Sequence, residues 1–410
     1  MVRPARRRTV GDELRAGRSL GEAFEAEFGH LAAGPFAEDA FPSRLHDERV
    51  TAVLGVALGV AFLTCFLTGL LSHFAQQPLD VGFLSMPASP AGLYRVTQGV
   101  HVAAGTAAIP LLLVKLWSVF PKLFSWPPVE NRAQIVERIS ILPLVAGSIF
   151  QLFSGLSNTA HWYPWTFSFT VTHYWTAWIV IGALVAHVGA KVTITRRALA
   201  PAARRAPEPP GTGLSRRGLF AATGAAVGAV TLTTVGQTVR PLKDLALLAP
   251  RRPDQGPQGL PVNKSAVGAR VTDLIADPGY TLTIDGRVPH PVTLTLTQLR
   301  ALPRHEADLA IACVEGWSAG ATWRGVRVRD LLALAGAPDG AEVVVHSVQA
   351  RGGYRTSGLN AAHARHRDTL LALEVDGATL HPDHGYPVRL IAPNRPGVQQ
   401  TKWVGRLEVI

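Results

Sequence analysis

Cysteine is nearly absent: the 410 residues contain two, Cys65 and Cys313. A disulfide framework is excluded as an organising device, because Cys65 sits inside an apolar run and Cys313 in a polar, glycine-containing stretch. Paired Cys or His spacings of the zinc-site kind are missing around Cys313. Internal repeats and low-complexity tracts are missing too. The first apolar run begins near residue 50, too far along for a cleavable signal peptide, so the expectation is that what enters the membrane stays there. Acidic residues are outnumbered 29 to 40 by Lys and Arg, giving a formal charge of +11. That excess does not indicate nucleic acid, because the basic residues cluster beside apolar runs: Arg3 to Arg8 before the first, and Lys191, Arg196, Arg197, Arg204, Arg205, Arg216 and Arg217 between the fourth and fifth.

What is present is apolar: 47% of residues are hydrophobic and the mean hydropathy is +0.18. Four uncharged stretches, 50–72, 96–114, 139–156 and 170–190, each approach the ~20 residues that span a bilayer as a helix. A fifth at 218–239 is richer in Ala, Gly and Thr. Lys122, Arg132 and Arg138 lie between the second and third, whereas 157–169 holds no Lys or Arg and 73–95 only Arg95. The expected orientation therefore puts the N-terminus in the cytoplasm, with Trp162-Tyr163-Pro164-Trp165 as an outer aromatic belt. The predicted organisation is a cytoplasmic tail (1–45), a membrane domain (46–195), a basic loop (196–217), a fifth helix (218–240), a linker (241–260) and a soluble domain outside the cytoplasm (261–410).

The soluble region changes pattern. Alternation at 281–284 and 292–296 predicts half-buried strands around a turn at Asp285-Gly286. Further strands are expected at 342–348 and 387–392 and a helix at 328–335, an α+β domain. Within it Cys313 is a soft donor with no partner ligands nearby in sequence, which suits a metal whose other ligands arrive with a cofactor.

Cys-Val-Glu-Gly-Trp-Ser at 313–318, Trp-Arg-Gly-Val at 323–326, Asp383-His384-Gly385-Tyr386-Pro387-Val388-Arg389-Leu390, and Gly397 through Lys402-Trp403 come in an order and spacing that resembles the sulfite-oxidase-like molybdopterin domain, over 262–410. The resemblance implies a molybdenum-molybdopterin cofactor with Cys313 as the protein's thiolate ligand and catalytic centre. By the same resemblance Asn263, Ser347, His384, Arg389, Thr401 and Lys402 hold the pterin and its phosphate, the two cations being chemically apt for an anion. Sulfite oxidases follow the cysteine with an Asn-Arg-Arg type run; Glu315-Gly316-Trp317 stands here, closer to periplasmic methionine-sulfoxide reductase subunits. That implies reduction of an S-oxide or related oxo group, small or protein-bound, with Arg351, Tyr354 and Arg355 as candidates to face it. A sulfite-oxidase-type dehydrogenase is the alternative.

Histidine is costly in hydrocarbon, and neutral imidazole is an axial haem ligand. His173 and His187 on the fourth span, 14 residues apart, lie ~21 Å apart on nearly one face. The expected pairs are His101 with His173 near the outer surface and His46 with His187 near the inner one, with His73 as a spare outer ligand. The stretch 44–191 is similar to the b-type cytochrome subunits of formate dehydrogenases and hydrogenases, which implies haem b and exchange with a quinone pool or redox partner; the alternative is a haem-free anchor. Ser215-Arg216-Arg217-Gly218-Leu219-Phe220 resembles a twin-arginine export signal placed internally, and its arginines equally serve to anchor a helix end. A transporter or sensor would leave Cys313 and the closing motif without a role.

Overall fold

The computed structural model describes residues 9–29, 34–36, 40–41, 43, 45–77, 86–127, 132–201, 213–252 and 254–410. The basic run 3–8 and Arg204-Arg205 lie outside the described residues. Two short helices, α1 (Val10–Arg15) and α2 (Leu20–Phe28), each begin with a capping box, Thr9 with Asp12 and Ser19 with Glu22. Five helices long and apolar enough to cross a membrane follow: α3 (Glu48–Gln76), α4 (Leu93–Val119), α5 (Arg132–Thr159), α6 (Phe169–Leu199) and α7 (Arg216–Val235).

These helices overrun the uncharged stretches that announce them. α6 continues through Lys191, Arg196 and Arg197, because long basic side chains propagate a helix well and can reach water from its end. α7 stops at Val235, earlier than expected. At Gly236 the chain folds back so tightly that a Cβ would lie 2.2 Å from the Leu242 carbonyl oxygen.

Internal contacts divide the chain into two compact units, one of Met1–Phe66, Ala104–Ser157 and Tyr163–Thr231, the other of Leu67–Ala103, Asn158–Trp162 and Leu232–Ile410. In the first, Leu58, Phe62, Ala108 and Leu112 form a core joined by Leu152 and Leu184. Gly147 lets α5 and α6 approach until a Cβ there would meet Val180 Cγ2 at 2.6 Å. Leu45, Val50 and Leu54 pack with Leu219 of α7, and Arg216 pairs with Asp47 at 3.3 Å. Leu142 and Val185 are 73% and 68% exposed, the outward apolar surface that lipid covers in a spanning bundle.

The second unit is built on two five-stranded sheets. One has the order β2 (Val292–Thr295), β1 (Thr281–Gly286), β10 (Val404–Val409), β5 (Val343–Ser347), β6 (Thr356–Leu359); only β1 and β10 run parallel, with Thr283 opposite Arg406. The other has the order β3 (His305–Ala312), β4 (Ser318–Arg327), β7 (Leu370–Val375), β8 (Ala378–Thr379), with β9 (Arg389–Ile391) also on β7. β1 buries Leu282 and Ile284 and leaves its alternate residues half-buried or exposed, as its pattern predicts. β7 breaks alternation because both its faces are covered: Leu371 and Leu373 enter the core around Ile284 and Leu407, while Leu370 and Ala372 enter the core around Trp323 and Cys313. β2 ends at Thr295, not 296, because the Thr295 hydroxyl caps a helix at Leu296–Ala301.

Candidate active site

Cys313 stands at the hairpin between β3 and β4. Its N–H donates to the Trp317 carbonyl at 2.9 Å, and Gly316 N donates back to the Cys313 carbonyl at 3.0 Å. Gly316 takes φ +92°, a left-handed conformation that a side chain resists. The loop is so closed that Cys313 is 3% exposed. Its Sγ accepts from Asn263 Nδ2 at 3.1 Å and from Glu315 N at 3.5 Å. Burial, reinforced by the Glu315 carboxylate, pushes the thiol up to about 12, and the two N–H donors pull the other way. A buried sulfur already provided with donors is suited to a cation that would take the proton's place.

The sulfur opens onto a cavity of about 190 Å³. Arg389, on β9, is 2% exposed; Nη1 donates to the His384 carbonyl at 3.2 Å, the guanidinium lies 5.4 Å from the Trp323 ring, and Nε has no partner among the described residues. Lys402 Nζ donates to the Asp383 carbonyl at 2.7 Å and the Lys264 carbonyl at 2.9 Å. Gly385 permits this convergence, having φ +108° and leaving only 3.1 Å from a would-be Cβ to Arg389 Cβ and 3.2 Å to Lys402 Cα. Burial and the neighbouring Arg389 charge push Lys402 down to about 7, and burial alone brings Arg389 to about 9. Two cations this poorly solvated, with no carboxylate at ion-pair distance among the described residues, form a wall that an anion would stabilise.

Of the residues the sequence singles out, Cys313, Asn263, Arg389, Thr401 and Lys402 line this one cavity, as does Tyr354. Thr401 Oγ1 and Ser357 Oγ bond at 2.6 Å. His384 and Ser347 do not line it. His384 is buried, its Nε2 donating to the Pro257 carbonyl at 2.6 Å, and burial pushes it down to about 4, so it acts on the site as a neutral post behind Arg389. Ser347 ends β5 and accepts from Gln349 N at 3.2 Å, shaping the turn that presents Gln349. Arg351 and Arg355 are also off the cavity wall, Arg355 donating to the Ala350 carbonyl at 3.2 Å. Lys264, Trp317 and Gln349 line it without having been singled out, Lys264 Nζ bonding Gln349 Oε1 at 3.0 Å. Adjacency to Asn263 was the available signal for Lys264 and membership of the 313–318 motif for Trp317, and the sequence carries none for Gln349.

The cysteine loop is also gripped by segments distant in sequence within the same unit. Gln98 Nε2 and Asn158 Nδ2 donate to the Val314 carbonyl at 2.9 and 3.3 Å, His161 Nδ1 bonds Glu315 Oε1 at 2.7 Å, Thr238 Oγ1 donates to the Gly316 carbonyl, and Ser318 N donates to the Gln237 carbonyl at 2.8 Å. Polar amides in or beside apolar spans were the sequence signal for this grip.

The membrane histidines show a recurring environment. In the second unit His101 Nδ1 bonds Thr68 Oγ1 at 3.1 Å, and its ring sits 3.0 Å from where Gly69 would carry a Cβ. In the first, His173 Nδ1 bonds Ser154 Oγ at 2.9 Å beside Gly155, whose Cβ would be 3.7 Å away. His46 Nδ1 bonds the Ser118 carbonyl at 3.2 Å, with its ring on Trp117 and Phe120. His187 lies on α6 with His173, and His73 near the end of α3.

A buried cysteine beside a cationic cavity, in an α+β domain of two sheets, suits a molybdopterin enzyme. Residues 269–410 match the family described as oxidoreductase molybdopterin binding domain, and this part of the chain is such a domain. Among curated proteins the chain is similar to the "Putative protein-methionine-sulfoxide reductase subunit YedZ1" of Azospira oryzae, 35% identical over 130 residues (32% of this chain, 48% of that protein). It is similar also to the "Uncharacterized oxidoreductase YuiH" of Bacillus subtilis, 33% identical over 126 residues (30% and 62%), and to sulfite oxidase of Arabidopsis thaliana, 29% identical over 164 residues (32% and 42%). The match thus spans less than two thirds of each relative. A solved structure, the sulfane dehydrogenase SoxCD from Paracoccus pantotrophus, aligns at 26% identity and a TM-score of 0.30 over 32% of this chain and 38% of that one.

Proposed function

We propose that this chain is a membrane-anchored molybdopterin-dependent oxidoreductase that draws electrons from a quinone pool through haem b and reduces an S-oxide or related oxo substrate outside the cytoplasm. The observation that carries it is the Cys313 sulfur, buried, doubly provided with N–H donors, and opening onto a cavity walled by Arg389 and Lys402. Molybdenum bound there would supply transfer of an oxygen atom coupled to two electrons. The chain's own residues do the rest. Cys313 offers the thiolate, Asn263 and the Glu315 N–H hold its negative charge, and Lys264, Arg389 and Lys402 hold the cofactor's phosphate. Trp317, Val398 and Tyr354 give the cavity an apolar wall against water.

An S-oxide is favoured over sulfite because the run after the cysteine offers no cation: the Glu315 carboxylate is engaged with His161, and Trp317 lines the cavity with an apolar ring. The similarity to a protein named as a methionine-sulfoxide reductase subunit points the same way. Haem ligation is supported by the repeated hydroxyl partner, Thr68 at His101 and Ser154 at His173, which orients one ring nitrogen, and at His101 Gly69 makes room for the ring. His46 and His187 are the proposed inner ligands. Ser215 to Phe220 is proposed to direct export of the folded domain, with the N-terminus in the cytoplasm.

Metal analysis and visible absorbance of the purified full-length protein test the reading together. Molybdenum, iron and a Soret band are expected, with methionine sulfoxide reduced in a quinol-linked assay. Molybdenum without iron would leave the helices an anchor, and sulfite oxidation in place of sulfoxide reduction would reverse the direction of flow.

A further inference from the structure

Positions 98, 101 and 102 fall on one face of α4, being spaced three and four residues apart. Two of the three touch the cysteine loop. Gln98, 6% exposed, donates to the Val314 carbonyl at 2.9 Å, and Val102 Cγ2 lies 2.5 Å from where Gly316 would carry a Cβ. His101 stands between them, one helical turn from Gln98, or ~4.5 Å of rise. The peptide that Gln98 grips, between Val314 and Glu315, is the one whose N–H donates to Cys313 Sγ at 3.5 Å.

We propose that the Gln98 side chain is the electron bridge of this enzyme, the hydrogen bond to Val314 completing a continuous route from His101 along one turn of α4, through the Gln98 amide and the Val314 peptide, to Cys313. The proposal rests on the reading that His101 ligates haem. Electronic coupling falls off more slowly through covalent and hydrogen bonds than across a van der Waals gap, and this route contains a single non-covalent step. Reduction of an S-oxide to a thioether and water consumes two electrons and two protons; quinol supplies the electrons, which cross one at a time, and water supplies the protons. Asn158 bonds the same carbonyl from the end of α5 and so steadies the loop without lying on the helix that carries His101.

That difference gives the test, made on purified full-length protein carrying its cofactors. Haem is reduced by a light pulse with a flavin donor, and decay of its absorbance as the electron moves on is followed without any substrate. Gln98→Leu is expected to slow this decay roughly tenfold or more while the molybdenum content and Soret band match wild type. Asn158→Leu is expected to decay close to the wild-type rate. Should the leucine variant fail to assemble, Gln98→Asn keeps the amide but is one methylene too short for Val314, and is expected to slow the decay likewise. Wild-type decay in an assembled Gln98 variant, or an equal loss in Asn158→Leu, overturns the bridge and leaves the haem reading intact. A wild-type protein without a Soret band overturns both.

Discussion

Asn263 Nδ2 lies 3.1 Å from Cys313 Sγ, a neutral donor placed on the sulfur 50 residues before it in the chain. Cys313→Ser is expected to abolish turnover and empty the site of molybdenum while membrane insertion persists, since a hydroxyl is a harder and weaker donor than thiolate. Asn263→Leu removes only the partner and should weaken molybdenum retention or activity by roughly ten- to a hundredfold. Full turnover in the serine variant, read beside metal content, would show that the sulfur is not the ligand.

Gly316 is held at φ +92° with no space for a Cβ against Val102. Gly316→Ala therefore meets two penalties, backbone strain of about 1–3 kcal/mol and a collision with α4. A lowered melting temperature with lost molybdenum is expected; wild-type values of both would mean that the loop relaxes freely.

His101→Ala and His173→Ala are expected to cause the same loss of haem absorbance, because a bis-histidine iron gives up an axial ligand in either case. Quinol-linked turnover should fall in both, and turnover with an artificial donor to molybdenum should persist. If only His173→Ala removes haem, His73 becomes the outer partner; if neither does, the helices are an anchor.

His363 is buried, its Nδ1 beside Asn360 Oδ1 at 2.9 Å, and burial with the Arg395 charge pushes it down to about 4. Between that value and the ordinary 6.5 the unfolded chain binds a proton that the folded chain does not. Stability is thus lost as pH falls through this window, by up to about 3 kcal/mol from this group. Thermal unfolding of His363→Gln from pH 7 to pH 4 should show a shallower decline than wild type, and parallel curves would count against the buried neutral imidazole.

Arg216→Lys combined with Arg217→Lys preserves charge, including a cation for Asp47, which Arg216 meets at 3.3 Å. Export that depends on the twin arginines should fail, leaving the last domain protected from protease added outside spheroplasts. Digestion as in wild type would reduce the pair to a helix anchor.

Sequence alone determined the five apolar helices and the α+β domain, and it singled out Cys313 as the candidate ligand. Each rests on local pattern: uncharged runs near bilayer length, alternation in 281–284, and a motif whose residues stay in order. It also named Asn263, Arg389, Thr401 and Lys402, which converge on one cavity. Tertiary structure decided what spacing along the chain does not encode. His384 and Ser347 stand behind the wall, because a neutral buried imidazole satisfies Pro257 and a hydroxyl closes a turn. The β7 strand gave no alternation to read, since both its faces are buried. Gln98, Asn158 and His161 grip residues beside Cys313 from segments more than 150 positions away, and only packing brings such polar groups to the carbonyl and carboxylate that satisfy them.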